Sequence, residues 1–210
     1  KLVTVLFADV VNYTSISEKL DPEEVHQIMD GCFRILMGEI HRYEGTIDKF
    51  TGDGLMALFG APVAHEDHAQ RACYAALLMQ EQAERYGDQL QRDKGIRFPI
   101  RVGINTGQVV VRSIRKDDLH TDYVPVGHST SLAARMESLA KPGTVIVSEH
   151  THKLTEGYFQ FKALGPAKVK GVSEPVEVYE VSGLGPLRTR LQVAARRGLV
   201  RFVGRHAELE

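Results

Sequence analysis

The order of apolar and amphipathic segments predicts an α+β fold in which one antiparallel sheet carries helices. Three observations predict it. Residues 2–9 are nearly continuously apolar, as a central strand requires. Two long segments, near 21–43 and from about 67, carry apolar residues at helical spacing. Between and after them come short β-rich runs bounded by glycine.

Each element has a local reason. Asp21-Pro22-Glu23-Glu24 opens the first long helix: Asp21 is a natural N-cap, Pro22 suits the first helical position, and Glu24 completes a capping box. Val25, Ile28, Met29, Cys32, Ile35, Leu36, Ile40 and Tyr43 form its apolar stripe, and Gly45 ends it. Thr46–Phe50 and Leu55–Phe59 read as strands joined at Thr51-Gly52-Asp53-Gly54, which puts Asp53 on a hairpin tip. The second helix starts near Asp67. It carries Ala69, Ala72, Cys73, Ala76, Leu77, Ala83 and Tyr86. His65-Glu66-Asp67-His68 is read as helix capping, and His150 and His152 as surface residues.

Phe98–Ile104 and Gln108–Val111 read as two strands around Asn105-Thr106-Gly107. A third helix spans Ser129 to Leu139 and stops before Lys141-Pro142-Gly143. Val145–Val147, Tyr158–Phe161 and Val176–Val181 are further strands. The first half is therefore strand, helix, strand, strand, helix, strand: a ferredoxin-like βαββαβ core with additional C-terminal strands and helices. In that core the C-terminal end of the first strand and the hairpin between the second and third share one edge. Asp9 and Asp53 are expected side by side, and paired acids on divalent metal are the usual equipment for phosphoryl or nucleotidyl transfer.

Bulk composition narrows the function. The chain has 210 residues, 43% apolar and 25% charged, with a formal net charge of −1. A general polyanion-binding role, and so a nucleic-acid partner, is not suggested. The two cysteines, Cys32 and Cys73, fall on apolar helix faces and read as reduced core residues of a cytoplasmic domain. No apolar stretch is long enough to span a membrane, and no signal peptide is visible. The chain opens at Lys1 without Met and is read as a piece of something longer.

Four motifs in order resemble the catalytic domain of class III nucleotidyl cyclases, the adenylyl and guanylyl cyclases, whose core is of the palm type. They are Phe7-Ala8-Asp9-Val10 with Tyr13-Thr14, then Lys49-Phe50-Thr51-Gly52-Asp53-Gly54, then Val126-Gly127 with Leu132-Ala133-Ala134-Arg135, then Val169-Lys170-Gly171. The resemblance covers residues 1–182. It implies that Asp9, Asp53 and the Val10 carbonyl bind two divalent cations, Mg or Mn. It implies that Asn12, Tyr13 and Thr14 form a phosphate-cradling turn. Lys49 would read the adenine edge, where guanylyl cyclases tend to have Glu. Arg135 would stabilise charge on the α-phosphate, and Lys170 would bind the leaving pyrophosphate.

Two positions depart from the family pattern. Ser131 stands where the family has a ribose-positioning Asn, and Val124 where it has Asp or Thr to accept from the adenine amino group. Both imply lowered activity: misplacing a reacting group costs on the order of 10²-fold in rate.

The implied function is conversion of ATP to cyclic AMP and pyrophosphate by a head-to-tail homodimer. One chain gives Asp9, Asp53 and the phosphate turn; the other gives Lys49, the Val124 backbone, Ser131, Arg135 and Lys170. The rival reading, favoured by Ser131 and Val124, is a degenerate domain that binds nucleotide and regulates an attached one. A diguanylate cyclase is opposed by the lack of a GGDEF-like hairpin. From Gly183 the composition shifts to Gly, Pro, Arg and Ala, so 183–210 reads as a linker. Arg201–Glu210 resembles the opening of an AAA- or STAND-type ATPase module, a C-terminal partner domain.

Overall fold

The computed structural model describes residues 1–116, 120–126, 128–169, 174–187 and 192, with backbone only for 111–116 and 120–126. The elements in order are β1 (Leu2–Val10), α1 (Tyr13–Ser17), α2 (Pro22–Arg42), β2 (Thr46–Phe50), β3 (Gly54–Phe59), α3 (His68–Lys94), β4 (Ile100–Gln108), β5 (Val110–Lys116), β6 (His120–Val126), α4 (His128–Leu139), β7 (Val145–Ser148), α5 (Glu149–Thr155), β8 (Phe159–Ala167) and β9 (Val176–Leu184). Seven strands form one sheet in the order β2-β3-β1-β4-β7-β9-β8, and β5 and β6 form a separate hairpin. The segment β4-β1-β3-β2 is the ferredoxin-like core expected from the sequence. β1 lies antiparallel to both β3 and β4, and β7 joins β4 in parallel.

The two faces of the sheet are covered differently. α2 and α3 pack their apolar stripes on one face, where Leu36, Ile40, Phe59, Met79 and Ile104 are fully buried. α4 covers the other face, with Ala133 against Val3, Val5, Met56 and Leu58. Cys32 and Cys73 are both buried and unbridged, as expected. Burial pushes each thiol up to about 12, so neither is a reactive thiolate at neutral pH. Among the described residues, no helix is long and apolar enough to cross a membrane.

Tertiary packing overrode four local signals. Asn105-Thr106-Gly107 is not a turn: β4 runs straight through it in unbroken register with β1. The reason is α4. A Cβ at Gly103 would sit 1.8 Å from the Glu137 nitrogen, and one at Gly107 would sit 2.3 Å from Ser129 Oγ. These glycines, four apart on one strand face, flatten β4 so that the helix backbone can lie on it. Second, the Asp21 capping box forms only by half. Asp21 is the N-cap residue but makes no side-chain cap bond, while Glu24 bonds back to the Asp21 backbone and also pairs with Lys94 at 2.5 Å. Third, Asp67 caps nothing with its side chain and binds Arg71 at 2.7 Å, while His68 turns into the core to meet Thr4 Oγ1 at 2.7 Å. Fourth, His150 is exposed as expected, but His152 is half-buried and stacks on Tyr179 at 3.9 Å.

The glycine argument makes a prediction. Gly103→Ala should lower stability by ~2 kcal/mol or more, because backbone cannot move aside as a side-chain tip can. In contrast, Gly38, exposed in α2 with nothing within 4 Å of its Cβ position, should gain up to ~1 kcal/mol as Ala. Urea unfolding of both variants checks the contrast. A wild-type midpoint for Gly103→Ala would show that α4 does not rest on β4 this way.

Candidate functional site

The end of β1 and the β2–β3 hairpin meet as the topology requires. Asp9 pairs with Gly54 across the β1–β3 ladder, and the Val10 amide donates to the Asp53 carbonyl at 3.1 Å. Gly52, at φ 92°, and a Thr51 amide to Gly54 carbonyl bond of 2.9 Å close the hairpin. Gly54 keeps the site open. A Cβ there would come within 3.0 Å of Asp9 Oδ1 and of Thr51 Oγ1, and within 2.3 Å of the Ala8 carbonyl. Asn12 follows in the left-handed region at φ 63° and turns the chain into the short α1, anchored by buried Ile16.

The electrostatics are those of a crowded anionic site. Burial raises the Asp9 carboxyl above the usual range, the Arg101 hydrogen bond opposes this, and the charge of Asp53 adds to it. Arg101 on β4 donates to Asp9 Oδ2 from Nη2 at 2.8 Å and from Nε at 3.3 Å. Its Nε also lies against Glu137 of α4. Glu137 is raised too, first by burial, with Arg101 opposing and Asp9 adding. The motif reading missed Arg101 and Glu137 altogether. The signal available for Arg101 was its place on β4 opposite Asp9, since a ferredoxin-like sheet sets those two strands together.

These residues fit a divalent cation. Two adjacent carboxylates in a space that a Cβ would fill are hard oxygen donors. Among the described residues no group of three or more His, Cys, Asp or Glu side chains could hold a metal ion. A cation here would therefore complete its shell with backbone carbonyl, water and substrate oxygens, as magnesium commonly does.

The other expected site residues lie elsewhere on the surface. Ser131 and Arg135, one helical turn apart, are exposed on α4, opposite the inner residues Ala133 and Glu137. Lys49 is exposed on the edge strand β2, beside Phe50, which is 52% exposed. No described hydrogen bond or ion pair joins Lys49, Ser131 or Arg135 to Asp9 or Asp53. Val124 lies on β6 opposite Arg112, with its side chain outside the described residues. Lys170, Gly127 and Gly171 lie outside them too, as does the linker and ATPase-like segment after Leu187, Gln192 excepted.

A palm-like sheet with paired aspartates on the β1 end and the next hairpin is an architecture suited to nucleotidyl transfer. The comparisons agree. The model of the adenylate and guanylate cyclase catalytic domain matches residues 1–183, and the chain belongs to that family. It is 36% identical over 185 residues to Adenylate cyclase 1 of Rhizobium meliloti, covering 87% of this chain and 28% of that protein. The chain thus spans well under half the length of this curated relative. Among solved structures it resembles the adenylyl cyclase CyaB from P. aeruginosa at a TM-score of 0.81 and 30% identity, covering 90% of this chain and 95% of that one. It resembles the guanylyl cyclase Cya2 at 0.80 and 33% identity, covering 89% and 94%.

Proposed function

We propose that this chain converts ATP to 3′,5′-cyclic AMP and pyrophosphate at a site completed by a second copy arranged head to tail. The observation that carries it is the split between two groups of side chains. Asp9 and Asp53 meet on one edge of the sheet, whereas Ser131, Arg135 and Lys49 face outward with no described bond to them. A partner in head-to-tail contact would bring its outward set over the aspartates. The relative from Rhizobium meliloti and CyaB carry the adenylyl activity in their names, which supports ATP; Cya2, named a guanylyl cyclase, keeps the base question on Lys49.

In this reading Asp9, Asp53 and the Val10 carbonyl hold two divalent cations, Mg or Mn. When bound, they acidify the ribose 3′-hydroxyl and neutralise the triphosphate. The turn at Asn12, Tyr13 and Thr14 offers backbone amides to phosphate. From the partner, Lys49 reads the adenine edge, with the Val124 backbone in place of the missing side-chain acceptor. Ser131 orients the ribose, Arg135 takes the charge growing on the α-phosphate, and Lys170 holds pyrophosphate. The domain works in the cytoplasm, attached to C-terminal partner domains.

A second reading rests on Ser131 and Val124: a cyclase domain that binds nucleotide without turning it over and regulates a neighbour. Incubation with ATP or GTP and Mn or Mg, followed by chromatography, separates the two. Cyclic AMP from ATP, in excess over cyclic GMP from GTP, is the expected product. Saturable nucleotide binding with no cyclic product from either nucleotide would establish the second reading instead.

A further inference from the structure

Arg101 is held by two carboxylates on different elements. Asp9 of β1 accepts from Nη2 at 2.8 Å, and Glu137 of α4 lies against Nε from the other side. The Glu137 side chain is 13% exposed. Its Oε1 is buried and lacks a hydrogen bond of good geometry, despite touching the guanidinium. A buried, imperfectly satisfied carboxylate is costly, so its place beside Arg101 calls for a reason. One guanidinium thus lies between two acids, Asp9 and Glu137, and Asp9 is in turn beside Asp53.

A divalent cation on Asp9 changes this arrangement. Asp9 Oδ2 cannot serve a guanidinium and a dication equally, because the two cations repel at contact distance. Arg101 has one other described acceptor within reach, Glu137. We propose that Glu137 is a positioning residue that draws Arg101 off Asp9 when a divalent cation binds, holding the guanidinium at the rim of the site. The inference rests on Asp9 and Asp53 being the cation ligands. It has a consequence for α4: the helix that presents Arg135 outward is tied through Glu137 to the cation site of its own chain. In a head-to-tail pair, α4 then touches both sites, its own from within and the partner's from without.

The plain alternative is that Glu137 only pins α4 to β4. Titrating the full 210-residue chain with Mn²⁺ in the absence of nucleotide, read by the paramagnetic signal of free Mn²⁺, separates the two. Asp9→Asn should remove the site. Glu137→Gln should weaken Mn²⁺ about tenfold, the range seen when an outer partner of a metal ligand is lost. Arg101→Gln should tighten Mn²⁺ binding, since the competitor is gone. In that background, adding Glu137→Gln should change the affinity by less than about threefold. An equal loss in both backgrounds would mean a through-space charge effect and would overturn the proposal. So would unchanged affinity in Glu137→Gln. If Glu137→Gln does not fold by circular dichroism, Arg101→Gln alone decides: unchanged or weaker Mn²⁺ binding overturns the competition on which the proposal depends. Mn²⁺ binding that survives Asp9→Asn intact would instead overturn the cation reading, and the proposal with it.

Discussion

Asp9→Ala and Asp53→Ala should each abolish cyclic AMP formation, with a fall of at least about 10³-fold, because in the proposed mechanism each would remove a ligand from a cation worth several kcal/mol of transition-state stabilisation. The two positions are neighbours by construction of the sheet. Asp9 pairs with Gly54, and the Val10 amide binds the Asp53 carbonyl. Loss of Asp9 has a second effect. Arg101 then loses one of its two carboxylate partners and keeps only Glu137, so the charge balance beside the site changes as well. Asp9→Ala should therefore be at least as severe as Asp53→Ala, and excess Mn²⁺ should rescue neither. Initial rates with ATP at saturating Mn²⁺, with folding checked by circular dichroism, provide the measurement. A wild-type rate in either variant would remove that residue from the cation site.

Mixing two dead variants should restore activity if the site is shared. Asp9 and Arg135 are assigned to opposite chains of each site. Asp9→Ala and Arg135→Ala should each be nearly inactive alone. In a mixed dimer, one site collects both lesions and the other collects neither. The mixture should recover up to about half of the wild-type rate per heterodimer, provided the two sites act independently. The recovered rate should rise with total protein if the isolated domain associates weakly, as mass action requires. The geometry motivates the pairing, because Arg135 is exposed on the outer face of α4 while Glu137 on the inner face touches Arg101 beside Asp9. If subunit exchange is verified by a labelled chain and the mixture stays dead, the site is not assembled across two chains. Full activity in Arg135→Ala alone would take that arginine out of the chemistry.

Local signals carried much of the architecture. The apolar run of β1, the helical stripes of α2 and α3, and the glycine-bounded hairpin were all legible, because each is encoded within a window of ten or twenty residues. Their order then placed Asp9 next to Asp53 with no distance known in advance. Other elements were hidden for physical reasons. The β5–β6 hairpin and the short α5 have weak periodicity, and β4 was broken at a tripeptide that would suit a turn in another setting. His68 looked like a polar helix start. Its burial is made favourable by a hydroxyl chain from Thr4 through Thr106 to Thr151, contributed by three separate elements.

The class of fold, the pair of aspartates and the family are written in the chain's hydrophobic period, turn chemistry and short motifs. How the site is charged follows from packing. Arg101 and Asp9 are 92 residues apart in the chain, yet they share a hydrogen bond because β4 and β1 are neighbours in the sheet. Glu137 reaches the same guanidinium because Gly103 and Gly107 let α4 lie directly on β4. That helix also turns Ser131 and Arg135 away from their own chain's aspartates. Which face a helix buries, and which charges it thereby brings together, depends on what it packs against, and no local window of sequence contains the partner.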